Sequence, residues 1–210
     1  MFTLAPEGAW IVTDTLATTL DGEPYLLVSK CFTAPHLELA VAFTGIANLG
    51  NEWTQWVQSR VLARDIDMLD VHAPDALRKM HGELDLPNEE TSTVYHIGFS
   101  SSKNVYVGYA YRSTEDFESE EMIPGFRVKP DPPSGTGWEP PETPEEIIGL
   151  AEAIRANEDT KPPEERRIYI GGELVMIQLH SNAILSTKIH KFADFEEVWL
   201  AMNDRLNRDY

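Results

Sequence analysis

The sequence has a single cysteine in 210 residues, few basic residues and no long apolar run. Each shortage excludes something. Cys31 has no partner for an internal disulfide, and it stands in a strand-like apolar stretch, the setting of a buried structural thiol rather than a reactive one. Lys and Arg number 17 against 35 Asp and Glu, a formal charge of −18. Neutralising phosphates takes a local basic cluster, and none is present, so nucleic acid and anionic membranes are not expected as partners. Met1 to Leu20 carries neither a basic n-region nor an apolar stretch of signal length. No later run approaches the roughly 18 apolar residues of a membrane helix. A soluble, cytoplasmic protein is the expectation. The six histidines show no metal-ligand spacing such as His-Glu-x-x-His, so no metal and no cofactor is assigned. There is no Gly-x-Ser-x-Gly elbow, and Pro133-Ser134-Gly135-Thr136-Gly137 lacks the lysine and following helix of a phosphate loop.

What is present suffices for a core. Hydrophobic residues make up 42% of the chain, with five Trp, and a chain of this length forms one domain, residues 1–210. Met1 to Ala5 and Ala9 to Asp14 read as strands about the turn Pro6-Glu7-Gly8, followed by strands over Tyr25 to Phe32 and Leu37 to Thr44. Leu49, Trp53, Trp56, Val57 and Val61 then recur at helical spacing, and Pro74 suits the first turn of a second helix bearing Leu77, Met80, His81 and Leu84. Trp53 and Trp56 fit a core better than an interface patch. Strands return at Thr93 to Phe99 and Val105 to Tyr111.

Residues 113–141 hold an acidic cluster and then Pro and Gly in quantity, without apolar periodicity, which predicts a long, partly mobile surface loop. The acidic cluster lacks the alternating ligands and turn glycines of a calcium loop and reads as a solvated charge run. Thr143-Pro144-Glu145-Glu146 is a capping box opening a helix with a stripe of Ile147, Leu150, Ala151 and Ile154. A hairpin over Arg167 to Leu179 and Ala183 to His190 follows, and Asp194-Phe195-Glu196-Glu197 caps a closing helix.

The order ββββ, αα, ββ, α, ββ, α resembles the N-terminal-nucleophile hydrolase fold. Gly8-Ala9-Trp10-Ile11-Val12-Thr13-Asp14-Thr15-Leu16-Ala17-Thr18 resembles the proteasome β-subunit signature of Gly, an apolar run, then Asp-Ser-Arg-x-Thr. Lys30 lies sixteen residues after Asp14, the separation of that family's Asp and active-site Lys. Thr44-Gly45 and Gly171-Gly172 are similar to two further small-residue steps of the family. The resemblance, to a divergent bacterial-type homologue, implies an α+β fold, a four-layer αββα sandwich. It implies supporting catalytic roles for Asp14 and Lys30 beside a nucleophilic threonine whose own α-amine is the base. The residue-level alternative is that Asp14 and Lys30 form a buried ion pair between strands.

The chain also departs from the pattern. Counting sixteen residues back from Asp14 runs past Met1, and Thr3, the nearest hydroxyl, follows the bulky Phe2, which disfavours removal of Met1. Leu16 stands in place of the signature Arg, and Arg167-Ile168-Tyr169-Ile170-Gly171-Gly172 replaces Asp-x-x-Ser-Gly-Gly. The expectation is therefore a proteasome-like subunit without peptidase activity, a homo-oligomeric scaffold or a module for a peptide or small-molecule ligand. The alternative is a threonine-type peptidase or amidohydrolase with an altered nucleophile, with Thr3, Asp14 and Lys30 as its candidate catalytic residues.

Overall fold

Alternation of apolar residues along the strands decides how this chain packs. In the computed structural model, which describes residues 1–19, 21–59, 61–84, 90–133, 139–162, 165, 167–181 and 183–207, twelve strands and four α-helices form a mixed α+β fold with three antiparallel sheets. Strands β1 (Phe2–Ala5) and β2 (Gly8–Asp14) form the first hairpin, with Phe2 opposite Ile11 and Ala5 opposite Gly8. On β2, Ala9 and Ile11 face one way and join Phe2 and Leu4 in one apolar cluster. Trp10 and Val12 face the other way and join a second cluster. The same division occurs on β11 (Glu173–His180): Ile177 and Leu179 take the first direction, Leu174 and Met176 the second. A period of two with both faces apolar means a sheet covered on both sides.

The first five-stranded sheet runs β10 (Gly125–Arg127), β1, β2, β11, β12 (Ala183–Lys191). The second runs β5 (Cys31–Ala34), β6 (Leu39–Thr44), β7 (Thr93–Ser100), β8 (Val105–Arg112), β9 (Ser119–Glu121). On β6, Ala40 and Ala42 meet the cluster of β1, β2 and β11, while Leu39, Val41 and Phe43 meet helices α1 (Ala47–Ser59) and α2 (Ile66–Glu83). The apolar stripe Ile147, Ala151 and Ile154 of α3 (Pro144–Asp159) is buried, and Ile147 and Ala151 join Val12 and Met176. Helix α4 (Phe195–Leu206) closes the described fold and lies against β4 (Pro24–Leu27).

Four sequence expectations change. The predicted strand over Tyr25 to Phe32 is two strands in different sheets: β4 pairs with β3 (Leu16–Thr18) as a two-stranded ribbon, and β5 opens the second sheet. The break lies at Val28-Ser29-Lys30, where the Val28 N–H reaches the Thr15 carbonyl at 2.8 Å and the Lys30 carbonyl accepts from Phe43 N–H at 3.1 Å. The second helix begins at Ile66, not Pro74. Asp65 caps it, its carboxylate accepting from Met68 N–H at 3.0 Å, and Ile66, Leu69, Ala73, Leu77 and Met80 form one buried stripe through the interior proline. Burying that stripe outweighs the one helical hydrogen bond that Pro74 removes.

Residues 113–133 are not simply a loop. The chain turns through Asp116 and Phe117, both at positive φ, and drives Phe117 into the core at 2% exposure. It then adds β9 to one sheet and β10 to the other. Four of its acidic residues are ion-paired: Glu115 and Glu120 with Arg112, Asp116 with Arg78, Glu121 with Lys103. Ser134-Gly135-Thr136-Gly137 lies outside the described residues. Asp194 does not cap α4 with its side chain. Its carboxylate is taken by Arg155, at 2.9 and 2.5 Å.

Candidate functional site

Asp14 ends β2 where the strand leaves the sheet, so its side chain is fixed by neighbours from three separate stretches. Its two carboxylate oxygens accept from Lys30 Nζ at 2.8 and 2.9 Å, and Oδ2 also accepts from the backbone N–H groups of Leu16 and Gly171, each at 3.2 Å. Lys30 lies in the break between β4 and β5, its backbone pinned by Phe43. Both side chains are partly covered, Lys30 at 22% and Asp14 at 15% exposure. A charge-assisted pair in such a setting is stronger than a solvated one.

The Gly171-Gly172 step supplies the rest of the frame. The Gly171 carbonyl accepts from the N–H groups of Thr15 and Leu16, and the hydroxyl of Thr15 accepts from Glu173 N–H at 2.9 Å. Gly172 has φ +76, and a Cβ there would stand 2.3 Å from Thr15 Oγ1, so a left-handed backbone and a close approach both demand glycine.

This frame lines an open cavity of about 610 Å³ whose walls include Thr13, Asp14, Lys30, Thr44, Gly45 and Tyr169. A second lobe, of about 710 Å³, continues past Met1, Thr13, Thr44 and Ile168, which line both. The Met1 amino group donates to the Val12 carbonyl at 2.9 Å, and burial pushes its pKa down to about 6 against the pull of Asp14 and Cys31. Asp14 and Lys30, paired on sequence grounds, are thus brought together at a cleft wall. Thr3 is not brought to them: it sits in mid-strand opposite Trp10 and Phe126, outside the residues lining either lobe.

Other candidate groups serve packing. Cys31 is buried, and burial raises its thiol to about 12, far from a thiolate nucleophile at neutral pH. His96 is fully buried and its Nε2 accepts from the Trp53 indole at 2.9 Å, which fixes it neutral; burial lowers its pKa to about 3. Among the described residues no group of three or more His, Cys, Asp or Glu is placed to hold a metal, and no helix is long and apolar enough to cross a membrane. Sequence reasoning missed the backbone N–H of Gly171, although the Gly-Gly pair was a visible signal. It also missed the part of the cleft wall that follows β10, because three residues show no alternation. No protein-family model matches this chain, and no curated protein matches it.

Proposed function

We propose that this chain is a proteasome-like subunit of N-terminal-nucleophile hydrolase type, a four-layer αββα sandwich that works without peptidase chemistry as a self-assembling cytoplasmic module binding a peptide or small ligand in its cleft. The layering is supported by the three clusters: helices α1 and α2 on one sheet, the two sheets on each other, and α3 on the other sheet. One observation carries the functional reading. Asp14 and Lys30 meet at 2.8 Å on the wall of a cavity, but they satisfy one another, and among the described residues no hydroxyl bonds to either. A nucleophile needs its base within about 2.6–3.2 Å, so the frame holds a cleft in shape without a group to activate.

Intact-mass analysis after incubation with a threonine-directed epoxyketone, together with light scattering over a wide concentration range, tests this. Unmodified protein that elutes as an oligomer supports the reading; a covalent adduct, or monomer throughout, overturns it.

The second reading, an amidohydrolase with an altered nucleophile, is favoured by the buried amine of Met1 beside the same cleft, with its lowered pKa. An adduct located at the N-terminal peptide by fragmentation would establish it.

A further inference from the structure

The second lobe of the cleft carries charge of the opposite sense to the rest of the molecule. The chain as a whole bears −18, yet this lobe sets Arg112, Arg127, Lys129 and Lys161 against Glu120, Asp131 and Glu158. The cations differ in how they are held. Arg112 is engaged by Glu115 and Glu120. Lys161 lies 2.6 Å from Glu158, whose buried carboxylate also accepts from Ile168 N–H at 2.8 Å. Arg127 is different: one of its terminal nitrogens donates to the Phe126 carbonyl at 2.8 Å, and among the described residues no carboxylate pairs with it. A guanidinium has five N–H donors in a planar fork matched to carboxylate, and among the described residues only the Phe126 carbonyl is seen to engage that of Arg127, which is exposed at the lobe.

The lining of the lobe combines apolar side chains, Phe2, Ile11, Phe43 and Met122, with the hydroxyl and amide groups of Thr13, Thr44 and Asn157. Polar groups spaced among apolar ones suit the amides of a peptide better than a plain alkyl chain. Resting on the binding-module reading above, we infer that the cleft takes a short apolar peptide by its free carboxyl terminus, the carboxylate on Arg127 and the chain running past Thr13 and Thr44 toward the Asp14–Lys30 lobe.

Calorimetry on the full chain with N-acetyl-Leu-Val-Phe-Leu as free acid and as C-terminal amide, and with dodecanoate, tests this. The acid is expected to bind about tenfold tighter than the amide, the effect of one charge-assisted contact, and tighter than dodecanoate. In Arg127→Met the preference should fall below about twofold with amide affinity and melting temperature unchanged. Should that variant misfold, Arg127→Lys serves, with a reduced preference that weakens as salt is added. Equal binding of acid and amide, a preference retained in Arg127→Met, or tighter binding of dodecanoate overturns the inference while leaving a binding module in place. Failure of both peptides and dodecanoate to bind overturns the inference and counts against the binding role together.

Discussion

Two parts of this molecule hold carboxylates in place by different means. At the cleft, Asp14 is held by a cation and two backbone N–H groups. Behind the second sheet, Asp67 and Asp70 on α2 are held by neutral hydroxyls: Asp67 by Ser100, Ser102 and Tyr109, Asp70 by Tyr111 and Ser119. The hydroxyl network clamps a helix to a sheet and is consumed in doing so. The cleft pair keeps charged side chains on the wall of a cavity. Position relative to solvent and cavity, not residue type, separates an anchoring carboxylate from a candidate functional one.

The contrast breaks most severely at the glycine behind Asp14. Gly172→Val forces a side chain into a left-handed residue already in contact with Thr15. The expected loss is about 3 kcal/mol from strain and overpacking, a fall in melting temperature of about 6–12 °C for a chain of this size. On the other side of the comparison, Tyr111→Phe deletes a buried hydroxyl bonded to Asp70 at 2.6 Å. It should cost about 1.5–3 kcal/mol by chemical denaturation, the range for a hydrogen bond to a charged group. The peptide affinity proposed for the cleft should not change, because Tyr111 lines neither lobe.

Acid should sharpen the difference. Burial works against ionisation of Asp67, but donors from Ser100, Ser102 and Tyr109 outweigh it and hold the carboxyl below its usual value. A depressed folded-state pKa contributes stability that is present above the unfolded value of about 3.9 and lost as pH falls through the folded one. Asp67→Asn should therefore flatten the decline of stability below about pH 4, as read from denaturant midpoints across pH. An unchanged slope would remove Asp67 from the acid response.

Strands buried on both faces were legible because their apolar runs, Ala9–Val12 and Leu39–Phe43, lie between turn residues. The capping box at Thr143 was legible because both of its reciprocal bonds are local: Glu146 N–H reaches Thr143 Oγ1, and the Glu146 carboxylate returns to Thr143 N–H. The Asp14–Lys30 pair was legible through a resemblance and a spacing. Phe117 was not, since a lone aromatic in an acidic segment has no period to reveal that the backbone turns it inward. Nor was the second lobe, whose wall gathers Phe2, Arg112, Arg127 and Lys161 from four distant stretches. Pro74 misled because proline at a first turn is the commoner case, and here the buried stripe on both sides of it prevailed.

The finest division falls between Lys30 and an exposed lysine. Lys30→Met strips Asp14 of its cation but leaves it the N–H groups of Leu16 and Gly171. The loss should be about 1–2 kcal/mol, less than the 3–5 of a fully buried pair left uncompensated. Lys103→Met breaks an ion pair with Glu121 in which both partners are more than 40% exposed, and should change stability by less than about 0.5 kcal/mol. Added salt should erase that smaller effect and leave most of the Lys30 effect, because screening acts on solvated pairs far more than on covered ones. If Lys30 also contacts ligand, Lys30→Met must weaken the peptide acid in calorimetry beyond anything Lys103→Met does. Equal behaviour of the two variants in both measurements would make the Asp14–Lys30 pair one more surface ion pair, and the two carboxylate environments would no longer differ in kind.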